Sequence, residues 1–337
     1  MVRSRWFVPV GTWSAVLTLV AFPVHASWTQ FGLQPLSGAF SPFAMGHLPD
    51  GRYVYGEGNS FYAQDAWGSA AYSTFAGVPG GVDPSFIAVR SDTSAVAGGG
   101  GFGESALQTF NPSDLLTPAF AATSFTIQNY QGVLKDSSSM YIAGLYEGFT
   151  HGVSYVALDG SINKVILTNV STFSAGFTID GFGNLYVGDT DDGTVYLFTD
   201  AQLSAAISGT PLSLADGQLV YDFGEGGNIG TIAVDGLGRL WAAGYLHNGL
   251  RVYDPNLAAE ASFIPGFDNS SYSVHTFTRD GSSYVAYINQ ENPFAGSTAM
   301  NYGYDLANNL VVPEPAAGLL VALGAFVAGW RNRRVRS

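Results

Sequence analysis

The chain has 337 residues, no cysteine, and 26 acidic against 13 basic side chains, which give a formal net charge of −13. The lack of cysteine excludes disulfides and thiolate metal sites, and the acidic balance excludes general electrostatic binding to nucleic acid or to anionic lipid. Only 12% of the residues are charged, while glycine contributes 43 residues. Low charge, many turns and abundant Tyr, Phe and Val favour an all-β protein.

The first 26 residues have the features of a secretory signal peptide. Arg3 and Arg5 form a basic start, residues 6–22 form an uncharged apolar stretch, and Val24-His25-Ala26 offers a small-x-small cleavage site. We therefore expect an N-terminal signal helix, export through the Sec machinery, and a mature protein that begins directly after this segment.

Acid-centred turns recur through residues 27–312. Each turn joins one alternating apolar stretch to a second one, which is the pattern of a β-hairpin, and a third strand often follows, as in GTVYLFTD. The turns are 42–45 residues apart except for one interval of 55, and their aspartates are Asp50, Asp92, Asp136, Asp180, Asp235 and Asp280. Four strands in about 44 residues, repeated six times, predict a six-bladed β-propeller, with seven blades as the less favoured count.

Two details of this plan depend on single segments. The longer interval contains AQLSAAISGTPLSLADG, which is interpreted as a surface insertion, and no long helix is expected in the body. The last repeat lacks an obvious fourth strand. Either SWTQFGLQ near the N-terminus or NNLVV before the tail can supply it, and the N-terminal segment is favoured. Either strand would remove exposed sheet edges.

The aspartate turns join the first and second strands on one face of the predicted propeller. The loops between the second and third strands open on the opposite face, where propellers usually bind ligands. These loops collect Glu57, Glu104, Glu147, Asp189, Asp191, Asp192, His247 and Glu291. A ring of carboxylates can hold Ca²⁺ through oxygen ligands. A solvated rim that keeps the protein soluble is the simpler interpretation. The repeated turn aspartates are expected to be structural, because Asp accepts local backbone hydrogen bonds.

The segment GDTDDGTVYLFTD begins like a calcium-binding loop, with Asp189 and Asp191 at its first and third positions. Gly193 and Thr194 stand where such a loop needs a further ligand and its turn glycine, and no flanking helices are expected. An Asp-Gly hairpin turn is therefore favoured. A Ca²⁺ site at Asp189, Asp191 and Asp192 stays as the alternative, and no other cofactor is predicted.

Signatures of catalysis are weak. The run GGGGFG, residues 98–103, satisfies G-x-G-x-x-G, but no helix follows it, so it is interpreted as a flexible loop rather than a dinucleotide site. The histidines show no metal-ligand spacing, and no G-x-S-x-G elbow is present. No catalytic residue is therefore predicted, although His247 and Glu147 would be the pair to consider in a lyase-type propeller.

The chain ends in three consecutive parts. Pro313, Glu314 and Pro315 precede the uncharged apolar segment 316–330, and the basic residues after it are Arg331, Arg333, Arg334 and Arg336. As a helix, the segment would span roughly 22 Å, against about 30 Å for the hydrocarbon core, and snorkelling arginines with local thinning would make up the difference. We expect a single transmembrane helix with its basic end in the cytoplasm.

This tail resembles the PEP-CTERM sorting signal of Gram-negative bacteria, and the resemblance covers about the last 27 residues. It implies recognition by an exosortase, an integral-membrane transpeptidase-like protease. It further implies a passenger that is anchored transiently by the C-terminal helix and then delivered to the cell surface or the exopolysaccharide matrix. Prolines on both sides of Glu314 favour an extended peptide that a protease can reach.

Two repeats carry a second resemblance. FTIDGFGNLYVGDTDDGTVYLF and IAVDGLGRLWAAGYLHNGLRVYD are similar to repeats of the NHL and gluconolactonase-like six-bladed propellers. The resemblance is clearest over residues 170–255 and implies the same propeller fold as the repeats. With the two terminal segments, the expected division is a signal peptide at 1–26, a propeller body at 27–312 and a sorting segment at 313–337. Without its ends, the body has 7 basic and 25 acidic residues, a net charge of about −18.

Three functions remain open for the body. The favoured one is a non-enzymatic, surface- or matrix-associated protein that binds a glycan or a protein partner, with aromatics such as Tyr62, Trp67 and Tyr245 available for sugar stacking. The main alternative is a Ca²⁺-dependent lactonase or lyase of the propeller type. A purely structural module is the third.

Overall fold

A computed structural model gives the structure of the chain. It describes residues 29–35, 44–57, 60–64, 72–76, 84–91, 93–99, 106–112, 121–124, 128–146, 150–170, 176–189, 191–223, 229–244, 250–256, 259–263, 271–279, 282–289 and 300–305. Ala26–Val311 form one compact unit, and the second unit is drawn from Met1–His25 and Val312–Ser337. The predicted signal peptide and the predicted membrane helix at 316–330 lie outside the described residues. Within the described ranges, no helix has the length and apolar character needed to span a bilayer.

The described residues are mostly β-strands, as the composition and repeats predicted. The strands of the first half are β1 (Thr29–Pro35), β2 (Ala44–His47), β3 (Tyr53–Glu57), β4 (Ser60–Gln64), β5 (Tyr72–Ala76), β6 (Pro84–Ser91), β7 (Ser94–Gly99), β8 (Ala106–Phe110), β9 (Ala121–Ser124), β10 (Gln128–Leu134), β11 (Ser139–Tyr146), β12 (Thr150–Ala157) and β13 (Asn163–Thr168). Those of the second half are β14 (Phe177–Ile179), β15 (Leu185–Asp189), β16 (Thr194–Phe198), β17 (Leu212–Ser213), β18 (Gln218–Asp222), β19 (Ile229–Val234), β20 (Leu240–Gly244), β21 (Leu250–Asp254), β22 (Ala259–Phe263), β23 (Ser271–Arg279), β24 (Ser282–Asn289) and β25 (Met300–Asp305).

These strands form six sheets, counted over the described residues. Four of the sheets have the orders β2-β3-β4-β5, β6-β7-β8-β9, β14-β15-β16-β18 and β19-β20-β21-β22. The third sheet, β10-β11-β12-β13, carries β17 as a fifth strand, and the last has the order β23-β24-β25-β1. Each sheet therefore corresponds to one repeat of the sequence, and the aspartate turn joins its first two strands.

The last sheet is completed by the start of the chain. β1 pairs antiparallel with β25, from Thr29 opposite Asp305 to Pro35 opposite Met300. The prediction that SWTQFGLQ supplies the missing strand is confirmed. Because β1 covers the outer edge of β25, the backbone groups of that strand are paired rather than left as an open sheet edge.

The first strands of the six sheets form a closed ring, in the order β2, β6, β10, β14, β19 and β23, and β23 contacts β2 again. They run in the same direction. At the boundary of β19 and β23, the Val274 N–H donates to the Thr231 Oγ1 atom, and the Thr276 hydroxyl donates to the Val234 carbonyl, both at 2.9 Å. The second and third sheets are aligned in the same way through the hydrogen bonds Ser85–Asn129 and Arg90–Ser137. The third and fourth are aligned likewise, because Gln131 is bonded to Phe177, and Lys135 after β10 pairs with Asp200, whose N–H donates to Asn184.

Parallel first strands place the turns that follow them on one face of the unit. The prediction of a common face is thereby confirmed for the turns of Asp50, Asp136, Asp180 and Asp235. Asp92 and Asp280 lie outside the described residues. We call this surface the aspartate-turn face, and it carries the β2–β3, β10–β11, β14–β15 and β19–β20 turns.

The hydrophobic core lies between neighbouring sheets. One cluster joins the third and fourth sheets through residues such as Ile166 and Leu185, and others join the first to the second, the second to the third and the fourth to the fifth. Gly98 corrects a sequence interpretation. It lies in β7 rather than in a flexible loop. A side chain at this position would clash with the Phe86 ring, which explains the glycine.

The predicted surface insertion contains a short helix, α1 (Asp200–Ser208), of nine residues, which was not predicted from the sequence. A capping box between Thr199 and Gln202 starts it, and Leu203 and Ala206 are buried. A 3₁₀ turn (Leu214–Asp216) follows β17. β17 pairs with β13, and the Lys164 ammonium donates to carbonyls at the helix end. The insertion therefore attaches the fourth repeat to the third sheet.

Candidate functional site

A cavity of about 840 Å³ lies inside the ring of first strands. All six first strands contribute to its wall, so no single repeat forms it. This volume is within the usual range of small-molecule sites, which are concave and largely apolar with a few polar groups.

Polar side chains of the first strands form hydrogen bonds to the backbone of other sheets. The Gln131 amide donates to the Gly230 carbonyl, and its oxygen accepts from the Phe177 N–H at 3.3 Å. The Ser85 hydroxyl lies 2.7 Å from the Asn129 carbonyl, close enough to donate to it. These groups therefore hold the ring together, and their hydrogen-bonding capacity is largely occupied before any ligand arrives.

Aromatic and imidazole rings line the cavity near the aspartate-turn face. The ring of His47, at the end of β2, is stacked on Phe277 with 3.6 Å between centroids, and it lies 5.0 Å from the ring of His275. Phe277 is in turn stacked on Tyr284 at 5.3 Å. We call these four side chains the ring cluster. It spans the boundary between the first and last sheets, where the two ends of the repeat array meet.

The ring cluster contains an imidazole that is uncharged at neutral pH. Partial burial lowers the pKa of His275 to about 4, because the surrounding side chains exclude much of the water that would solvate an imidazolium. Of the described residues that line the cavity, the only carboxylate is Asp235. That carboxylate accepts from the Arg239 guanidinium at 2.7 Å and from the Trp241 indole N–H at 2.9 Å. The wall near the ring cluster thus favours an uncharged ligand with flat or apolar faces.

Sequence reasoning did not identify the ring cluster. His47 and Phe277 each stand three residues before the turn aspartate of their repeat, and that shared position was the available signal. The same position holds Val133 and Ile232 in other repeats, so the residue type alone does not indicate a site. The position points to a site only once the first strands are known to line the cavity.

The turn aspartates are structural, as predicted. Asp136 accepts from the Ser138 N–H at 2.7 Å, and Asp50 accepts from the backbone and guanidinium of Arg52. Asp180 accepts from the backbone N–H groups two and four residues later, at 2.8 and 2.9 Å. In each case the carboxylate satisfies the donors of its own turn, which is the local role that favours Asp in such positions.

The loop face predicted to hold acidic residues is described only in part. The Asp189 carboxylate accepts from the N–H groups of Asp191 and Asp192, at 3.0 and 3.4 Å, so it forms the predicted hairpin turn. His151 lies near this turn. Burial lowers its pKa, and the charge of Asp191 partly offsets that effect. Over the described residues, no three His, Asp or Glu side chains are grouped closely enough to hold a metal ion.

The other predicted loop-face residues are not brought into a site by the described structure. Glu57 is the last residue of β3, where its repeat predicted it. Glu104, Glu147, His247 and Glu291 lie outside the described residues, as do Trp67 and Tyr245. Tyr62 stacks on Tyr55 at 5.3 Å within the first sheet, which is a packing role.

The fold and the C-terminal segment define a propeller protein that carries a sorting signal. The family model of the PEP-CTERM protein-sorting motif matches residues 311–334, so the chain has this motif at its C-terminus, as its sequence predicted. No curated protein matches the chain. The motif implies export, a C-terminal membrane anchor before cleavage, and processing by an exosortase.

Solved structures with the same fold include proteins of different functions. A calcium-binding protein, regucalcin, from Agrobacterium tumefaciens has a TM-score of 0.59 at 13% identity, over 81% of this chain and 94% of that one. A nidogen/laminin complex has a TM-score of 0.55 at 13% identity, over 70% and 84% of the two chains. A streptogramin B lyase has 0.54 at 12% identity, over 82% and 99%. These similarities confirm the propeller fold of the body.

Proposed function

We propose that this protein is an exported, non-enzymatic six-bladed propeller that an exosortase delivers to the cell surface or the surrounding matrix, where it binds a glycan or a protein partner. The observation that carries the exported role is the sorting motif at 311–334. The pairing of β1 with β25 supports the six-blade count, because it gives the last of the six sheets its fourth strand.

The cavity supports a binding role. Its ring cluster places uncharged aromatic side chains in the cavity wall at His275, Phe277 and Tyr284, and sugars pack their apolar faces against aromatic side chains. A glycan of the extracellular matrix is therefore the ligand class that we favour. The body has a net charge of about −18, and this charge keeps it soluble outside the cell and repels anionic polymers.

Processing at the Pro-Glu-Pro step is the first test of this proposal. Replacing Pro313, Glu314 and Pro315 with alanine should leave a full-length, membrane-bound form in the native host, because the protease loses its extended recognition segment. Mass spectrometry of the envelope and medium fractions measures this directly. In the wild type, we expect chains that end near residue 315.

The basic residues provide the matched control for that experiment. Removing Arg331, Arg333, Arg334 and Arg336 should impair retention in the membrane instead, because several guanidinium groups no longer oppose transfer across the hydrocarbon. Full-length wild-type chains ending at Ser337, found equally with and without the exosortase, would defeat the sorting role and leave a simple C-terminal anchor.

A Ca²⁺-dependent lactonase or lyase is the alternative function. It is favoured by the calcium-loop-like start at Asp189 and by two solved structures of the same fold, a calcium-binding protein and a streptogramin B lyase. The turn geometry argues for the binding role, because the Asp189 carboxylate already accepts two backbone N–H groups.

One experiment separates these two functions. Matrix polysaccharide from the native host should bind the purified protein equally in chelator and in Ca²⁺, and it should be released chemically unchanged. A variant with asparagine at 189, 191 and 192 should keep the wild-type thermal midpoint, since asparagine preserves the acceptor at the turn. A midpoint raised by Ca²⁺ in the wild type but not in the variant, with turnover of sugar lactones, would establish the enzyme.

A further inference from the structure

The chain leaves the propeller on the aspartate-turn face. Asp305, at the end of β25, is paired with Tyr284 near the start of β24 and with Thr29 at the start of β1. The start of β24 follows the turn between β23 and β24, where Arg279 is paired with Ser282. The last described residue of the sheet therefore lies at the same face as the aspartate turns.

The connection from this point to the sorting motif is short. Residues 306–312 separate Asp305 from Pro313. At a maximum of about 3.6 Å per residue, seven residues reach no further than roughly 25 Å. While the C-terminal segment is in the membrane, this reach limits how far Asp305 can lie from the bilayer surface, which favours the aspartate-turn face over the opposite loop face as the nearer one.

Two turns on this face expose large apolar side chains. Phe182 is 87% exposed and Leu237 is 59% exposed. They occupy the same position, two residues after the turn aspartate, in the neighbouring fourth and fifth sheets. The first and third sheets have Arg52 and Ser138 at that position. The apolar side chains at the tips of these turns, Phe182 and Leu237, are thus confined to one side of the face. The equivalent turns of other sheets carry polar residues at the same position.

The turns hold these tips outward by their own hydrogen bonds. The Phe182 N–H donates to the Asp180 carboxylate at 2.8 Å, and the Leu237 N–H donates to the Asp235 carboxylate at 2.9 Å. Each tip is followed by a glycine with positive φ, 84° and 77°. Ile162, 43% exposed in the β12–β13 turn, adds a third apolar side chain on the same face in the adjacent sheet.

We propose that Phe182 and Leu237 insert into the interface of a zwitterionic lipid bilayer while the protein is anchored, so that the propeller stands on its aspartate-turn face with its loop face exposed. This inference rests on the proposed C-terminal anchor. Exposed apolar groups mark protein or membrane contacts, and the short tether selects the membrane. The net negative body argues for zwitterionic rather than anionic headgroups. Tethering gives a high effective concentration, so a weak apolar contact is sufficient.

The absence of cysteine from the sequence makes the test direct. Single cysteines at positions 182 and 237 are labelled with an environment-sensitive fluorophore, in the full chain reconstituted into phosphatidylcholine–phosphatidylethanolamine vesicles. The matched control is position 150, because Thr150 is exposed at the start of β12, opposite the end of β11, and therefore lies at the loop-face end of its sheet. We expect a lipid-attached nitroxide to quench labels 182 and 237 at least about twofold more than label 150, because interfacial side chains lie within the headgroup boundary.

Equal quenching at all three positions would overturn the inference. Quenching or an emission shift that requires a co-reconstituted exosortase would also overturn it, and would make the protease the occupant of this face. Extraction of the vesicles with alkaline carbonate separates a failure of the anchor from a failure of the contact. Protein that washes off defeats the anchor itself, whereas retained protein without differential quenching defeats only the lipid contact. Wild-type thermal midpoints establish that the labelled variants are folded.

Discussion

Replacing Asp235 with alanine is expected to lower the free energy of unfolding by about 3–5 kcal/mol, the usual cost of removing one partner of a buried ion pair. The Asp235 and Arg239 side chains are each 1% exposed and lie 2.7 Å apart. The same carboxylate accepts from the Trp241 indole and from two backbone N–H groups of its turn. Alanine would leave a guanidinium in the core without its carboxylate. Urea denaturation measures the change.

The equivalent turn of the fourth sheet provides the control. Asp180 accepts from the Asn184 side chain and from two N–H groups, but no buried cation depends on it. Asp180→Ala should therefore cost only about 1–2 kcal/mol, as for other lost caps and turn acceptors. The double variant Asp235→Ala, Arg239→Leu should recover part of the loss, because no charge is left buried. Equal costs at the two turns would contradict this explanation.

Acidification is expected to destabilise the protein through His275. The folded-state pKa of about 4 lies below the value of about 6.5 for an unfolded histidine. Between these pH values the unfolded chain binds a proton at His275 that the folded protein does not bind. The contribution of His275 to the free energy of unfolding is therefore fully present above pH 6.5 and is lost as the pH falls towards 4. The change amounts to about 2–3 kcal/mol over that range.

The comparison with His275→Phe isolates this contribution. Phenylalanine preserves a ring beside His47 and Phe277 and does not titrate. The variant should therefore lose about 2–3 kcal/mol less than the wild type between pH 6.5 and 4, whatever its stability at neutral pH. The other groups that respond to acid, including His151, are unchanged in both proteins. Parallel stability curves for the two proteins would show that His275 does not cause the acid sensitivity.

The repeat pattern determined most of the fold, because its signals are local. Alternating apolar residues around an Asp turn identify a hairpin without reference to the rest of the chain. The regular spacing of Asp136 and Asp180 then predicts sheets of equal size. The C-terminal sorting motif is likewise a linear signal that a protease reads in an extended peptide, so the order of its three parts was sufficient. The sequence favoured the N-terminal segment as the fourth strand of the last sheet, and the pairing of β1 with β25 confirms it.

The tertiary structure decided what depends on contacts between distant residues. The ring cluster joins His47 to Phe277 across the closure of the ring, and a local pattern carries no information about such a pair. The helix α1 forms because Leu203 and Ala206 are buried against the third sheet, which the weak local signal of the insertion did not reveal. The sequence by itself determined the repeat, the turn aspartates and the sorting tail, since each is encoded within a short segment. Only the three-dimensional arrangement decided which side chains line the cavity and on which face the chain leaves the propeller, because both depend on the direction in which separate strands run past one another.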